Sequence, residues 1–346
     1  GKDLASWSGN VGLIGGPLRY ADYSGQEIKA TVNFAGDFSQ SEGDVDLTAS
    51  GLQSPYGRAN SSRIEGPFAL GYGPGPMTAS FTGQPEMRGV QVAQNLLRQA
   101  GSLSASTAGT PVGPIADKLA KAVQLAGNGL DISSDIKFSK GSGRTTLALN
   151  ALGARSRSGA RLTLSDPLLL AFTDKNIRML ADGNIRLAGG GFPDAKFVLD
   201  DGSLSRGFSG RLEMAAYQAG SANLKIPTLV FSPTRQGGTD IDGRIMLTGP
   251  LGDGQITGLQ VPISGNIARN GNFALFRQCI NLQFASLRTA SLRAGPTSAR
   301  LCPQGNAIVS GNRSGVNIAA NAPSLNLDGT LGNTPLSISS GMLGFS

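Results

Sequence analysis

A mainly β fold is what this sequence predicts, and three observations carry that prediction. The first is a template repeated between Gly183 and Arg269. Gly183-Asn-Ile-Arg-Leu-Ala-Gly189, Gly210-Arg-Leu-Glu-Met-Ala-Ala216 and Gly243-Arg-Ile-Met-Leu-Thr-Gly249 each run glycine, polar residue, then apolar residues two apart. Successive side chains of a strand point to opposite faces. Ile185 and Leu187, Leu212 and Met214, and Ile245 and Leu247 therefore share a greasy side, while Asn184, Arg186, Arg211, Glu213 and Arg244 share a wet one. The second observation is composition: 50 glycines in 346 residues, about twice the ordinary share, with 6% aromatic and 15% charged residues. The third is that the same alternation runs through most of the chain, which disordered sequences do not sustain.

From Leu4 to Gln84 the pattern gives short strands. Val32 and Phe34 alternate with Thr31 and Asn33, and Val45 and Leu47 alternate with Asp44 and Asp46. Gly15-Gly-Pro17, Ser54-Pro55 and Gly71-Tyr-Gly-Pro-Gly-Pro76 punctuate this run as turns. The period changes between 85 and 127. Met87, Val90, Ala93, Leu97 and Ala100 recur at helical spacing, as do Ile115, Leu119, Ala122, Val123 and Ala126 after a soft linker. Pro114 suits a first helical turn and Gly127 a C-terminal cap. This predicts an amphipathic helical pair inserted between β segments 1–84 and 128–346. It reads as a cap over an open sheet edge or end, the rival being a mobile gate.

From Leu130 the strands resume, with Ile136 and Phe138 on one face, then Leu147 and Leu149, then Leu162 and Leu164. Asp166-Pro-Leu-Leu-Leu-Ala-Phe172 fits a buried strand or a helical turn, because a short apolar run carries no period. The last strands are expected around Ile318, around Leu325 and Leu327, and around Leu336 and Ile338. Between the two cysteines, Cys279 and Cys302, lie 22 residues, and the chain has no histidine, so no usual zinc spacing is available. A disulfide and a pair of buried thiols both fit. The exported look of the sequence favours the disulfide, which would contribute on the order of 3 kcal/mol for a loop of this size.

Candidate chemistry is scarce. The absence of histidine removes Ser-His-Asp and Cys-His catalysis from this chain. Ser134-Asp-Ile-Lys137 has a Ser-x-x-Lys spacing but lies in a strand pattern, not at a helix start. Asp200-Asp-Gly202 and Asp240-Ile-Asp-Gly243 lack the rest of a calcium loop and read as turns. The net charge is +7, with basic residues scattered singly. Arg155-Ser-Arg157-Ser-Gly-Ala-Arg161 is the one local cluster, and it reads as a solvated edge, so no nucleic-acid partner is expected. No enzyme activity, cofactor or metal is expected. No segment is apolar for the ~18 residues a membrane helix needs, and the start has neither an initiating Met nor a signal-peptide core, which suggests a piece of a longer protein.

The glycine-headed strands, Gly183-Asn-Ile-Arg-Leu and Gly243-Arg-Ile-Met-Leu-Thr-Gly-Pro-Leu, resemble the β-rich periplasmic segments of the AsmA-like superfamily, which includes the TamB, YhdP and YdbH families. Phe276-Arg-Gln-Cys-Ile-Asn-Leu-Gln-Phe-Ala-Ser-Leu together with Leu301-Cys-Pro-Gln-Gly305 is most similar to YdbH-type proteins of alphaproteobacteria. The resemblance implies a long, curved antiparallel sheet folded into a taco-like hydrophobic groove. It implies a bridge-like protein that carries phospholipid acyl chains across the periplasm, between inner and outer membranes. It further implies an inner-membrane anchor outside this chain and, in some relatives, a small outer-membrane lipoprotein partner. About two dozen strands at ~4.8 Å would then form a trough on the order of 100 Å long. The groove lining expected from parity is the set of alternating apolar residues named above: Val32, Phe34, Val45, Leu47, Ile136, Phe138, Leu147, Leu149, Leu162, Leu164, Ile185, Leu187, Leu212, Met214, Ile245, Leu247, Ile318, Leu325 and Leu327. The competing expectation is a structural or adhesive β-solenoid of the autotransporter-passenger kind, although template glycines 27 and 33 residues apart are uneven for tight coils. One Trp and five Tyr are too few for the girdles of an outer-membrane barrel, and no paired carboxylates suggest a polysaccharide-processing enzyme.

Overall fold

The computed structural model describes residues 6–173, 176–179, 183–203, 207–312 and 315–345. Among these residues the fold is mainly β, with 30 strands and two helices and antiparallel pairing throughout the described ladders. By its contacts the chain divides into two units, Gly1–Ala100 with Lys121–Phe192, and Gly101–Ala120 with Pro193–Ser346.

The first unit opens with β1 (Trp7–Gly15), a small hairpin of β2 (Leu18–Tyr20) and β3 (Tyr23–Gly25), and then β4 (Glu27–Gly36), β5 (Gln40–Ser54) and β6 (Gly57–Gly71). β1 pairs with β4 along its whole length, and β4, β5 and β6 follow as a meander. β7 (Thr78–Gly83) and β8 (Glu86–Val92) lie end to end, both flanked by β6 and by β9 (Leu130–Gly141). Pro85 sits at the break, where a residue without an N–H cannot continue a ladder. β10 (Arg144–Ser156) is likewise shared by β11 (Arg161–Leu164) and β12 (Leu168–Thr173), with Pro167 between them. In the ambiguous apolar run 166–172, the residues from Leu168 onward are thus a strand. β13 (Asn176–Met179) pairs with β12, and β14 (Gly183–Gly189) pairs with β11.

The helices are α1 (Gln94–Ser106) and α2 (Gly113–Ala126), and the division between units falls inside both. The helical spacing of Met87 and Val90 is misleading, because both lie on β8. Gly89 takes a left-handed φ of +61°, and the ladder slips between Met87 and Val90. A bulge of this kind puts residues three apart on one face of a strand, which mimics a helical step. Gly127 follows α2, but its φ is not left-handed, so it is no αL cap. Its role is clearance, since a Cβ there would stand 2.7 Å from Leu97 Cδ2.

The second unit runs from β15 (Phe192–Ser203) through β16 (Gly207–Ala219), β17 (Ala222–Pro233), β18 (Thr239–Leu251) and β19 (Gly254–Ile267) as consecutive antiparallel partners. Short strands follow: β20 (Phe273–Leu275), β21 (Ile280–Phe284), β22 (Ser286–Arg288), β23 (Leu292–Ala294), β24 (Thr297–Pro303), β25 (Val309–Asn312), β26 (Gly315–Ile318), β27 (Ala320–Ala322), β28 (Leu325–Leu331), β29 (Thr334–Ser340) and β30 (Leu343–Phe345). Cys279 and Cys302 are joined as a disulfide, fastening the start of β21 to β24. Among the described residues, no helix is long and apolar enough to cross a membrane.

Candidate functional site

The register of the first unit turns alternation along each strand into rows across strands. Residues directly opposite on neighbouring strands share a face. Phe34 on β4 stands between Gly9 on β1 and Gly43 on β5, Gly43 faces Phe68, Phe68 faces Phe81, and Phe81 faces Phe138. Leu147 and Leu170 continue the row onto β10 and β12. Two residues along, Val11, Val32, Val45 and Gly66 form a second row, which Gly83, Ile136, Leu149 and Leu168 extend on the far strands. A further row runs Ile28, Ala49, Ser62, Met87, Ile132, Ala154, Leu162 and Leu187, and Leu13, Ala30, Leu47 and Ile64 form a shorter one. Leu164 faces Ile185 on the same side.

Glycines shape this face by making room. A Cβ at Gly9 would stand 2.8 Å from the tip of the Phe34 ring, and one at Gly83 would stand 2.2 Å from Phe81 Cζ. The rings thus lie over the glycines of their own or the adjacent strand. This is one source of the high glycine content beyond turns.

Twelve of the residues expected from parity fall on this single face: Val32, Phe34, Val45, Leu47, Ile136, Phe138, Leu147, Leu149, Leu162, Leu164, Ile185 and Leu187. All but Leu164 are half-buried. Both clusters of mutually packed, buried apolar side chains lie in the second unit; among the described residues of the first there is none. The buried apolar side chains of the first unit are mostly alanines, with Leu97 and Leu164 the larger exceptions. This is the signature of a sheet face without a second layer over it.

The second unit is different. Met214 is 8% exposed and packs against Ile115 of α2, with Tyr217, Ala219 and Ala222 beside it. Lys118 of the same helix lies 4.6 Å from the Tyr217 ring and donates to Gln218 O at 2.7 Å. Burial pushes the Tyr217 hydroxyl above its ordinary pKa. Val261 and Ile263, on the apolar face of β19, are packed under Phe276, Ile280 and Ile308. The expectation that one uninterrupted lining extends to these strands therefore needs correction. Leu212 stays half-buried between Phe197 and Leu229, and Ile245 stays half-buried opposite Val261, but Met214 is capped by a helix. Leu247 and Leu327 are buried at 6% and 7% exposure, and Leu325 is half-buried. Ile318, 57% exposed on β26, pairs with Val309 of β25 and belongs to no row of the face. Parity tells which side a residue takes, but not what folds back over that side.

The opposite face of the first unit is charged. Arg63 pairs with Asp46 at 2.8 Å and with Glu65 at 2.6 Å, and Lys29 pairs with Glu27 at 3.1 Å. The hydrogen bond from Arg63 holds the Asp46 carboxyl below its ordinary range, and that carboxylate raises Arg63 in turn. Asp44, Asp46, Glu65 and Asp135 border a depression of about 700 Å³, yet no group of three or more carboxylates able to hold a metal occurs among the described residues. Arg186, Arg211 and Arg244 are exposed, as parity requires of the wet side.

Sequence reasoning overlooked Phe68 and Phe81, whose opposition completes the phenylalanine row. Alternation of Ala79, Phe81 and Gly83 was a usable signal, masked by the neighbouring turn 71–76. It also missed an apolar cavity of about 450 Å³ at one end of the face, walled by Leu18, Ile28, Leu52, Ala59, Met87 and Val90 and bordered by Tyr20, Tyr23 and Tyr56. Comparison with protein-family models finds no match. Neither curated proteins nor solved structures match the chain.

Proposed function

We propose that this chain is a non-enzymatic, acyl-chain-binding segment of a bridge-like lipid conduit of the AsmA-like, YdbH-related kind. It would work in the periplasm and carry phospholipid tails between inner and outer membranes. Attachment to the inner membrane, and any small outer-membrane lipoprotein partner, would involve parts outside this chain. One observation carries the reading: the rows of apolar side chains in the first unit run across successive strands and stay half accessible.

The phenylalanine row crosses eight strands, so at ~4.8 Å per strand it spans about 34 Å, more than the ~15 Å half-thickness of bilayer hydrocarbon that one acyl chain fills. Each methylene laid on such a surface instead of in water gains up to ~0.8 kcal/mol without demanding a particular headgroup. The charged opposite face suits water. A parallel-coiled β-solenoid is disfavoured, because the ladders are antiparallel hairpins.

The test is native mass spectrometry, with lipid extraction, of chain purified without detergent. Co-purified phospholipid, displaced when Phe81 and Phe138 are both replaced by serine, is the expected result. Chain that never carries lipid, even after incubation with phospholipid vesicles, sinks the reading.

A further inference from the structure

At one end of the first unit the apolar face deepens into the cavity walled by Leu18, Ile28, Leu52, Ala59, Met87 and Val90. Its construction is specific. Gly51 and Gly89 both adopt left-handed φ, at +60° and +61°. The Asn60 side chain occupies the place that a Cβ at Gly89 would take. Beyond these points Leu52, Ala59 and Val90 turn toward the side already occupied by Ile28 and Met87. The β2–β3 hairpin stands alongside, joined to β5 by the pairing of Ser24 with Gln53. It contributes Leu18, Tyr20 and Tyr23 to the cavity, while the β5–β6 turn contributes Tyr56.

Two features go beyond a generic greasy surface. The volume of about 450 Å³ lies within the ~300–1,000 Å³ of small-molecule sites, and the walls are overwhelmingly apolar. The border is aromatic and polar-tipped: Tyr20, Tyr23 and Tyr56 are 79%, 52% and 68% exposed in a chain with only five tyrosines. An amphipathic ring of this type suits the boundary between hydrocarbon and water. Ile28 and Met87 belong both to the cavity wall and to one of the apolar rows, so the cavity is continuous with the face.

From this we infer that the cavity is a discrete, saturable site for the end of one long acyl tail, whose polar head lies at the tyrosine border. The inference rests on the lipid-binding reading and sharpens it: the row surface accepts chains without position, whereas the cavity holds one. Both a free fatty acid and a diacyl phospholipid have this chemistry. The tyrosine hydroxyls, which can donate and accept hydrogen bonds, serve a carboxylate or a phosphate ester alike.

The test is photolabelling of the full chain with a palmitic acid carrying a terminal diazirine and, separately, with vesicles of phosphatidylethanolamine bearing the same tagged chain. Mass spectrometry then locates the labelled residues. The expected result is saturable labelling, one per chain, on 18–25, 52–59 and 87–90. The fatty acid arm alone would identify a single-tailed ligand, and both arms together a tail-directed site. Gly25, whose added Cβ would meet Leu52 Cδ2 at an ordinary 3.4 Å, is the position for filling the cavity. Gly25→Leu should lower cavity labelling at least tenfold and leave labelling near Phe81 and Phe138 unchanged. If Gly25→Leu fails to fold, the double replacement Tyr20→Ser/Tyr23→Ser, at exposed positions, should instead weaken apparent affinity about fivefold. Labelling confined to the rows and indifferent to both variants overturns the site while leaving the face intact. Labelling of neither region overturns both, and saturable labelling of the cavity alone upholds the site and removes the conduit.

Discussion

Truncation of Phe138 to alanine measures whether the apolar face is open in solution. Phe138 sits mid-row, opposite Phe81 on β7 and Leu147 on β10, and is half-buried. Fully burying a phenylalanine side chain contributes about 1.5–3 kcal/mol, so a half-buried ring on an uncovered face contributes about 1 kcal/mol. Its removal leaves a shallow dent that water fills, with no cavity cost. In a closed core the same truncation costs about 3–5 kcal/mol, because the vacated space stays empty. The two cases differ by a factor of three or more, beyond the error of a denaturant titration. The assay is urea unfolding followed by fluorescence of Trp7, the sole tryptophan, whose ring meets Phe38 edge-on at 5.4 Å. Trp7 lies on β1 and therefore reports the unit that contains Phe138. A loss near 1 kcal/mol with an unchanged slope is expected. A loss of 3 kcal/mol or more would mean that something packs on the rows, leaving no open face for an acyl chain.

Two further outcomes follow from the structure. Reducing the Cys279–Cys302 disulfide, or replacing both cysteines by serine, reopens a loop of sequence separation 23 and should cost about 3 kcal/mol of second-unit stability, read by circular dichroism in urea with and without reductant; no change would show that the short strands β20–β25 hold themselves in place. Asp46 titrates below its ordinary value of 3.8 because Arg63 hydrogen-bonds to it, so its contribution is complete above that pH and is lost as pH falls through the lower folded value. Asp46→Asn should therefore be less stable than the parent at pH 6 and converge with it as the pH falls through the lowered folded value, whereas a difference that is constant with pH would refute the pairing.

The sequence carried the faces but not the registers, and the reason is physical. Parity along one strand is a local property, readable from Val32 and Phe34 without knowledge of any partner. Which residue stands opposite Phe34 depends on turn lengths and bulges, and these set the rows. The bulge at Gly89 illustrates the limit: it gave Met87 and Val90 a helical spacing while keeping both on one strand face. Met214 and Ile318 show a second limit. Both alternate correctly, yet one is covered by Ile115 and the other projects from β26, because coverage is decided by chain segments far away in sequence. The helical pair was legible through its spacing, but its effect on Met214 was not.

The contrast between the two units gives the glycine-rich composition a physical reading. A packed face needs large side chains arriving from a second layer, as Phe276, Ile280 and Ile308 arrive over Val261 and Ile263. In the first unit no such cluster forms among the described residues, and the rings of Phe34 and Phe81 lie over Gly9 and Gly83, where a Cβ would clash. Larger residues at those glycines would push the rings outward and roughen the surface. Small residues and overlying rings keep it low and smooth, which costs packing energy within the sheet but leaves apolar area exposed to water. Area of that kind is a liability in a protein that binds nothing, since large exposed apolar patches promote association. Its continuity along the rows, ending in a tyrosine-bordered cavity, is the feature on which the proposal of a hydrocarbon ligand rests.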